Sequence, residues 1–172
     1  DLAHARRLLQ QARHLLAQAE FAGTVAAIDR WCDQAPPLVR EEEGRSRAQP
    51  SITFRSQLVP YPLVGVISPW NFPLTLSLID AIPALLAGCA VFVKPSEVTP
   101  RFVEPLRATI AAVPELAAVC DVVVGDGRTG SALVGLVDVV CFTGSVKTGR
   151  AVGRSAAEHF IPAFLELGGK DP

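Results

Sequence analysis

Apolar and polar residues change rhythm twice along this chain. From Leu2 to about Ala27 the apolar positions recur at helical spacing, with Leu8, Leu9, Ala12, Leu15, Leu16 and Ala19 on one face and Arg6, Gln10 and Arg13 elsewhere. This predicts an amphipathic helix that packs its stripe against a core. Asp33 to Pro50 is polar and contains prolines, so it reads as a connection, with Glu41-Glu42-Glu43 as a solvated turn. Ser51 to Leu58 then alternates: Ile52, Phe54 and Leu58 on one side, Thr53, Arg55 and Gln57 on the other. That is a half-exposed strand. Nothing near it offers a hairpin partner, so the expectation is an arm that pairs with another part of the protein or with another subunit.

From Leu63 onward strand and helix patterns alternate. Strands are expected at Leu63–Ile67, Ala90–Val93, Val119–Val124, Val137–Phe142 and Ala163–Leu167. Between them, Leu74–Ala87 reads as a helix kinked at Pro83 and ended by Gly88. Thr99 reads as the cap of a helix with Pro100 in its first turn, running to about Ala112. A short helix near Gly130–Leu136 and another over Val146–Ala157 complete the series. Five strands separated by helices predict an α/β fold, a Rossmann-like parallel sheet with helices on both faces. Right-handed crossovers gather the loops at the carboxyl ends of the strands along one edge, where such sheets bind ligands.

Composition narrows the classes. The chain has 172 residues, 49% of them apolar, with 19% charged and a net charge of −1. This is enough for a core and gives no electrostatic reason to expect nucleic acid or an acidic membrane as partner. No apolar run reaches the ~18 residues of a membrane span. Cys32, Cys89, Cys120 and Cys141 lack metal-ligand spacing, and the last three sit in or beside apolar runs. They read as buried free thiols in a reducing, cytoplasmic compartment, with no metal site. A chain that begins at Asp1, lacks methionine and stops within a motif reads as a fragment.

The unusual residues fall in the loops at the strand ends. Ser68-Pro69-Trp70-Asn71-Phe72-Pro73 follows the first strand. Two prolines stiffen the turn around Asn71, whose amide suits either a plain turn or donation to a developing oxyanion. Lys94-Pro95-Ser96-Glu97 follows the second. A donor and a carboxylate so spaced make a surface ion pair or a clamp on ribose hydroxyls. Gly125-Asp126-Gly127-Arg128-Thr129-Gly130 matches a glycine-rich dinucleotide fingerprint only formally, because it follows the third strand and Asp138 is too near to be its ribose acid. It reads as a tight turn. Phe142-Thr143-Gly144-Ser145 opens a helix and is either a simple cap or an anion site. Glu166 stands between Leu165 and Leu167, directly before Gly168-Gly169. It is a solvated strand end, or a carboxylate that apolar surroundings tune toward general-base work.

In order and spacing, the motifs after the first, second, fourth and fifth strands resemble the NAD(P)-dependent aldehyde dehydrogenase superfamily, from about Val59 to Pro172. The resemblance implies units at 1–50 (N-terminal helical segment and linker), 51–62 (an arm strand that joins subunits into a dimer or tetramer) and 63–172 (a dinucleotide-binding domain). It implies oxidation of an aldehyde to a carboxylic acid through a cysteine thioester, with Asn71 as oxyanion donor and Glu166 as the base that activates the hydrolytic water. For the cofactor it implies NAD, with NADP as the alternative. Lys94 and Glu97 fall on the adenosine ribose, Trp70 and Ser145 near the pyrophosphate, Gly127 by the adenine, and Leu167 and Gly168 by the nicotinamide. Ile67, Ser68, Pro69, Ser96, Phe142 and Gly144 complete the expected cofactor set. The family's nucleophilic cysteine lies beyond Glu166-Leu167-Gly168-Gly169-Lys170, and none of the four cysteines here takes its place. Where many members carry a lysine, this chain has Asp80. Two other readings stand beside this one: a relative that passes its acyl group to coenzyme A or phosphate, and a non-catalytic nucleotide- or partner-binding module.

Overall fold

The computed structural model describes residues 2–168. Gly169 and Lys170 of the last motif lie outside that range. The chain opens with one long helix, α1 (Leu2–Leu38), and a two-stranded hairpin, β1 (Glu42–Arg45) and β2 (Thr53–Ser56). The α/β body follows: β3 (Leu63–Ile67), α2 (Pro73–Leu78), α3 (Ala81–Leu86), β4 (Ala90–Lys94), α4 (Val103–Ala111), α5 (Pro114–Ala117), β5 (Cys120–Val122), α6 (Gly127–Val134), β6 (Val139–Gly144), α7 (Val146–Glu158) and β7 (Ala163–Leu167). The five strands β3 to β7 form one parallel sheet in the order β5-β4-β3-β6-β7.

Alternation along each strand divides the core into two layers. Val64 and Val66 of β3, Val91 and Val93 of β4, Val122 of β5, and Val139 and Cys141 of β6 pack with Ala81 of α3 and Val103 and Ile110 of α4. On the opposite face Ile67, Val140 and Phe142 pack with Leu133 and Val134 of α6 and Val152 and Ala156 of α7. The predicted parallel sheet with helices on both faces is the fold observed. Leu63–Ile67 and Ala163–Leu167 match the expected strands residue for residue. Gly88, at φ 93°, follows the last turn of α3 in the left-handed conformation expected of a helix-ending glycine.

Four expectations need correction. First, α1 does not stop near Ala27, and its leucine stripe is not core. Leu8, Leu9, Leu15 and Leu16 are exposed, and among the described residues of α1 only Thr24 and Ala35, in the second half, are buried. A helix of 37 residues is roughly 55 Å long. It rests on α2 and α3, which have only six residues each. Their contact leaves its first half unsupported. The inward positions of the second half, Thr24, Ala27, Trp31 and Ala35, keep helical spacing through the stretch that reads as a polar connection.

Second, the Ser51–Leu58 strand does have a local partner. Glu42–Arg45 pairs with it antiparallel, Glu43 opposite Arg55, and Arg55 also bonds Glu41. Cross-strand charge, not an apolar pattern, makes this pair. Third, the Leu74–Ala87 helix is broken into two at Ile79-Asp80, not bent at Pro83 itself. A proline ring clashes with the carbonyl four residues earlier, which is that of Ile79; after the break Pro83 sits harmlessly in the first turn of α3. Fourth, Thr99 makes no side-chain cap to the 3₁₀ turn that leads into α4. Its hydroxyl donates to the Trp70 carbonyl instead, at 3.2 Å.

These layers predict unequal costs for two leucines in the 172-residue chain. Leu133→Ala, in the α6–α7 layer, lowers the unfolding free energy by about 2–5 kcal/mol in urea titration. Leu9→Ala, on the bare part of α1, changes it by no more than about 0.5 kcal/mol. Equal losses would show that the α1 stripe is buried after all.

Candidate functional site

The site begins with a row of side chains across the sheet. The parallel register sets Ile67 of β3 beside Lys94 of β4 on one hand and Phe142 of β6 on the other. All three point to the α6–α7 face. Between β3 and β6 the strand order reverses, because the chain runs outward through β4 and β5 before returning to β6. Helices therefore leave this point toward opposite faces, and a crevice opens at the carboxyl ends. Here it is a cleft of about 540 Å³.

The cleft brings together Ile67, Ser68, Pro69, Trp70, Lys94, Ser96, Glu97, Gly127, Phe142, Gly144 and Ser145. Lys94 is 4% exposed. Its ammonium donates to Glu97 Oε2 at 3.2 Å, leaving further N–H donors for a ligand. Glu97 is held below the usual carboxylate range, first by a hydrogen bond from its own backbone N–H and then by the one from Lys94. It therefore stands as an ionised acceptor at the cleft mouth. Ser145 caps α7, accepting from the Thr148 N–H at 3.2 Å. Asp126 caps α6 by accepting from the N–H groups of Arg128 and Thr129. The first of these holds its carboxyl low. No Cβ fits at Gly125 against Thr129 of that first turn, so this glycine is sterically required, as a tight turn demands.

Leu167 and Gly168 lie apart from the cleft lining. Leu167 packs so closely on Gly149 of α7 that a Cβ there has no room. Gly168 N–H donates to the Gly144 carbonyl at 3.3 Å, continuing the β6–β7 ladder beside the cleft. Leu165 approaches Gly153 of α7 in the same way as Leu167 approaches Gly149. Alternation then turns Glu166 to the other face. The expected apolar surroundings are not there: Glu166 is exposed, because β7 is the sheet edge among the described residues.

Asn71 is also exposed, and its neighbours face two different spaces. Trp70 lines the first cleft. Phe72 lines a second one of about 390 Å³ between α1 and α2–α3, walled mainly by Leu16, Ala27, Trp31, Ile79 and Ile82, with Glu20, Thr24, Arg30 and Thr75 also in its lining. Asn71 itself lines neither cleft; its two chain neighbours line one each. Its loop is fastened at several points. The Ser68 and Ser77 hydroxyls meet at 2.6 Å in the core, and Thr99 holds the Trp70 carbonyl.

Asp80 and Cys141 occupy this same face. Asp80 is held above the usual carboxylate range, by burial first and then by the Glu166 carboxylate. The Cys141 thiol is pushed up to about 12, by burial first and then by the Asp80 carboxylate. Cys141 is therefore a protonated core thiol. All four cysteines are free, with Cys89, Cys120 and Cys141 buried and Cys32 exposed, and none lines either cleft.

Sequence reasoning missed part of the first cleft: Gly130, Ser131 and Val134 of α6, and Lys147, Thr148, Ala151, Val152 and Ser155 of α7. The signal was present in the small residues recurring every three or four positions, which give each helix an inward face that leaves space. The whole α1–α2 cleft was also missed. Its lining comes from segments far apart in sequence, and no local pattern joins them.

The family described as "Aldehyde dehydrogenase family" matches residues 2–172. Geranial dehydrogenase of Castellaniella defragrans is 42% identical over 89% of this chain and 32% of its own. The structure of a putative aldehyde dehydrogenase, PutA, from Anabaena variabilis superposes with a TM-score of 0.88 at 59% identity, covering 91% of this chain and 33% of that one. A Mycobacterium tuberculosis aldehyde dehydrogenase complexed with NAD+ superposes with a TM-score of 0.73 at 35% identity, covering 87% and 30%. The chain therefore spans about a third of the length of each of these three relatives.

The state of Cys141 is open to test by alkylation. Iodoacetamide labels Cys32 in the folded protein and leaves Cys141 unmodified up to about pH 9, read by peptide mass spectrometry. Labelling of Cys141 as fast as Cys32 would contradict its burial and its raised pKa.

Proposed function

We propose, because this chain belongs to the aldehyde dehydrogenase family, that it supplies the cofactor cleft, the oxyanion donor and the general base for NAD-dependent oxidation of an aldehyde to a carboxylic acid. The observation that supports this reading is that the two chain neighbours of Asn71 line different clefts, Trp70 one and Phe72 the other. One cleft has features that suit a dinucleotide, and the other suits an apolar substrate. A group held between them reaches both.

The first cleft fits the cofactor by volume and by chemistry. It lies in the range of about 300–1,000 Å³ typical of such sites. Lys94 and Glu97 suit the ribose hydroxyls, the N-terminus of α7 at Ser145 suits a phosphate, and Ile67, Val134 and Phe142 offer apolar walls. Leu167 and Gly168, outside the lining but beside the cleft on the β6–β7 ladder, would hold the nicotinamide end. When bound, the nicotinamide supplies a hydride acceptor. Glu97 favours NAD over NADP, since a ribose phosphate would meet its negative charge.

The protein's own part is as follows. A thiolate adds to the aldehyde carbon, forming a C–S bond and leaving the electron pair on oxygen. The Asn71 amide donates to that oxyanion. After oxidation to the thioester, Glu166 takes a proton from water as the water oxygen adds to the acyl carbon. The C–S bond then breaks, releasing the carboxylic acid and the thiol. The four cysteines stand away from both clefts, so the thiol comes from outside these residues and this chain by itself is inactive. The mostly apolar lining of the second cleft, together with the geranial dehydrogenase relative, supports an apolar aldehyde as substrate.

Pre-steady-state kinetics of the full-length enzyme separates the two roles. Asn71→Ala slows the NADH burst by roughly 10²–10³-fold. Glu166→Gln keeps the burst and stalls later turnover; loss of the burst would assign Glu166 to an earlier step. Competition assays address selectivity. The value of kcat/KM is higher with NAD+ than with NADP+ and with geranial than with acetaldehyde, and Glu97→Gln narrows the cofactor gap. Equal or better use of NADP+, or a preference for acetaldehyde, would overturn those two assignments.

A further inference from the structure

We infer that Glu20, on α1, is a positioning residue for Asn71. The inference rests on the reading of Asn71 as oxyanion donor. Helix α2 begins three positions after its neighbour Trp70, and its own start is poorly equipped. Its first residue, Pro73, has no N–H, and the residue before it, Phe72, gives no side-chain cap. The Leu76 N–H bonds back to the Phe72 carbonyl at 2.9 Å. That leaves the N–H groups of Leu74 and Thr75 as the unsatisfied donors of the first turn.

Glu20 Oε1 accepts both, at 2.9 Å from Leu74 and 3.0 Å from Thr75. A carboxylate 54 residues upstream of Leu74 thus stands where a cap side chain belongs. Thr24, one turn further along α1, reinforces the contact. Its hydroxyl donates to the Glu20 carbonyl at 2.9 Å and meets the Thr75 hydroxyl at 3.0 Å. On the other side of Asn71, Thr99 holds the Trp70 carbonyl. The Asn71 segment is therefore stretched between two fixed ends, one set by the loop after β4 and one set by α1.

An oxyanion donor works only when its N–H already points to where the charge will form. Releasing one end of the segment lets the amide wander, and displacements near 1 Å cost about 10²-fold. Both bonds go to a single oxygen. A glutamine at this position can present its carbonyl oxygen in the same place, while alanine presents nothing.

The test is a double-mutant cycle on the NADH burst of the full-length enzyme, with melting temperature and the KM for NAD+ followed in parallel. Glu20→Ala slows the burst by about 10–100-fold and leaves the KM for NAD+ unchanged, Glu20→Gln restores it, and in an Asn71→Ala background Glu20→Ala costs nothing more. If Glu20→Ala does not fold, Glu20→Asp, one methylene shorter, gives a partial loss in the same step. A burst at the wild-type rate in Glu20→Ala or Glu20→Asp overturns the inference. So does an equal cost of Glu20→Ala with and without Asn71, which would make Glu20 a general stabiliser. A wild-type enzyme without aldehyde oxidation fails the underlying reading instead, and an active enzyme indifferent to Glu20 fails this inference alone.

Discussion

The pairing of β3 with β6 is the constraint on which the site depends. Parallel neighbours that are distant in sequence must send their following helices to opposite faces of the sheet, and the space between those helices cannot be filled by either. The register then decides what lies on the floor of that space. A shift of one residue would exchange Lys94, Ile67 and Phe142 for their alternates on the other face. It would carry the Lys94 ammonium into the valines of the α3–α4 layer, away from its Glu97 partner. The apolar cost of that slip is what fixes the polar row at the cleft.

The same alternation separates two chemistries. Leu165 and Leu167 turn toward α7, so Glu166 turns toward the face carrying Asp80 and Cys141. Lys94, Glu97 and Ser145 therefore collect at the α6–α7 cleft, while Asp80, Cys141 and Glu166 lie on the α2–α3 side. The α1 helix belongs to this second side. It closes the apolar cleft beside Phe72 and supplies, through Glu20, the cap that α2 lacks. An N-terminal helix that looks peripheral from its exposed first half is thereby tied to the start of α2, directly after the Asn71 loop.

Legibility in the sequence followed the range of the interaction responsible. The strands Leu63–Ile67 and Ala163–Leu167 were readable because runs of branched and aromatic residues bounded by prolines and glycines carry their own signal. The Gly88 stop was readable for the same reason. The run of α1 past Ala27 was hidden by Asp29 and Asp33, which are exposed while Thr24, Ala27, Trp31 and Ala35 face inward. The β1 strand was hidden because Glu42–Arg45 has no apolar pattern, and only Arg55 on the opposite strand gives its glutamates a reason to be extended. Of the site, Asn71, Lys94, Glu97 and Ser145 were nameable from motif order, whereas Glu20 and the use of the Thr99 hydroxyl on Trp70 were not. Each of these bonds joins segments distant in sequence, which no local window contains.

The proposed division of labour puts the dinucleotide in the crevice between β3 and β6 and the aldehyde in the cleft beside α1, with Asn71 between them. A crystal structure of the full-length enzyme with NAD+ and an apolar aldehyde analogue tests it most directly. The account predicts cofactor density over Ile67 and Phe142, with the adenosine ribose at Lys94 and Glu97, a phosphate at the start of α7, and the analogue between α1 and α2 with its polar end toward Asn71. Cofactor density in the α1–α2 cleft, or an analogue bound away from Asn71, would contradict it.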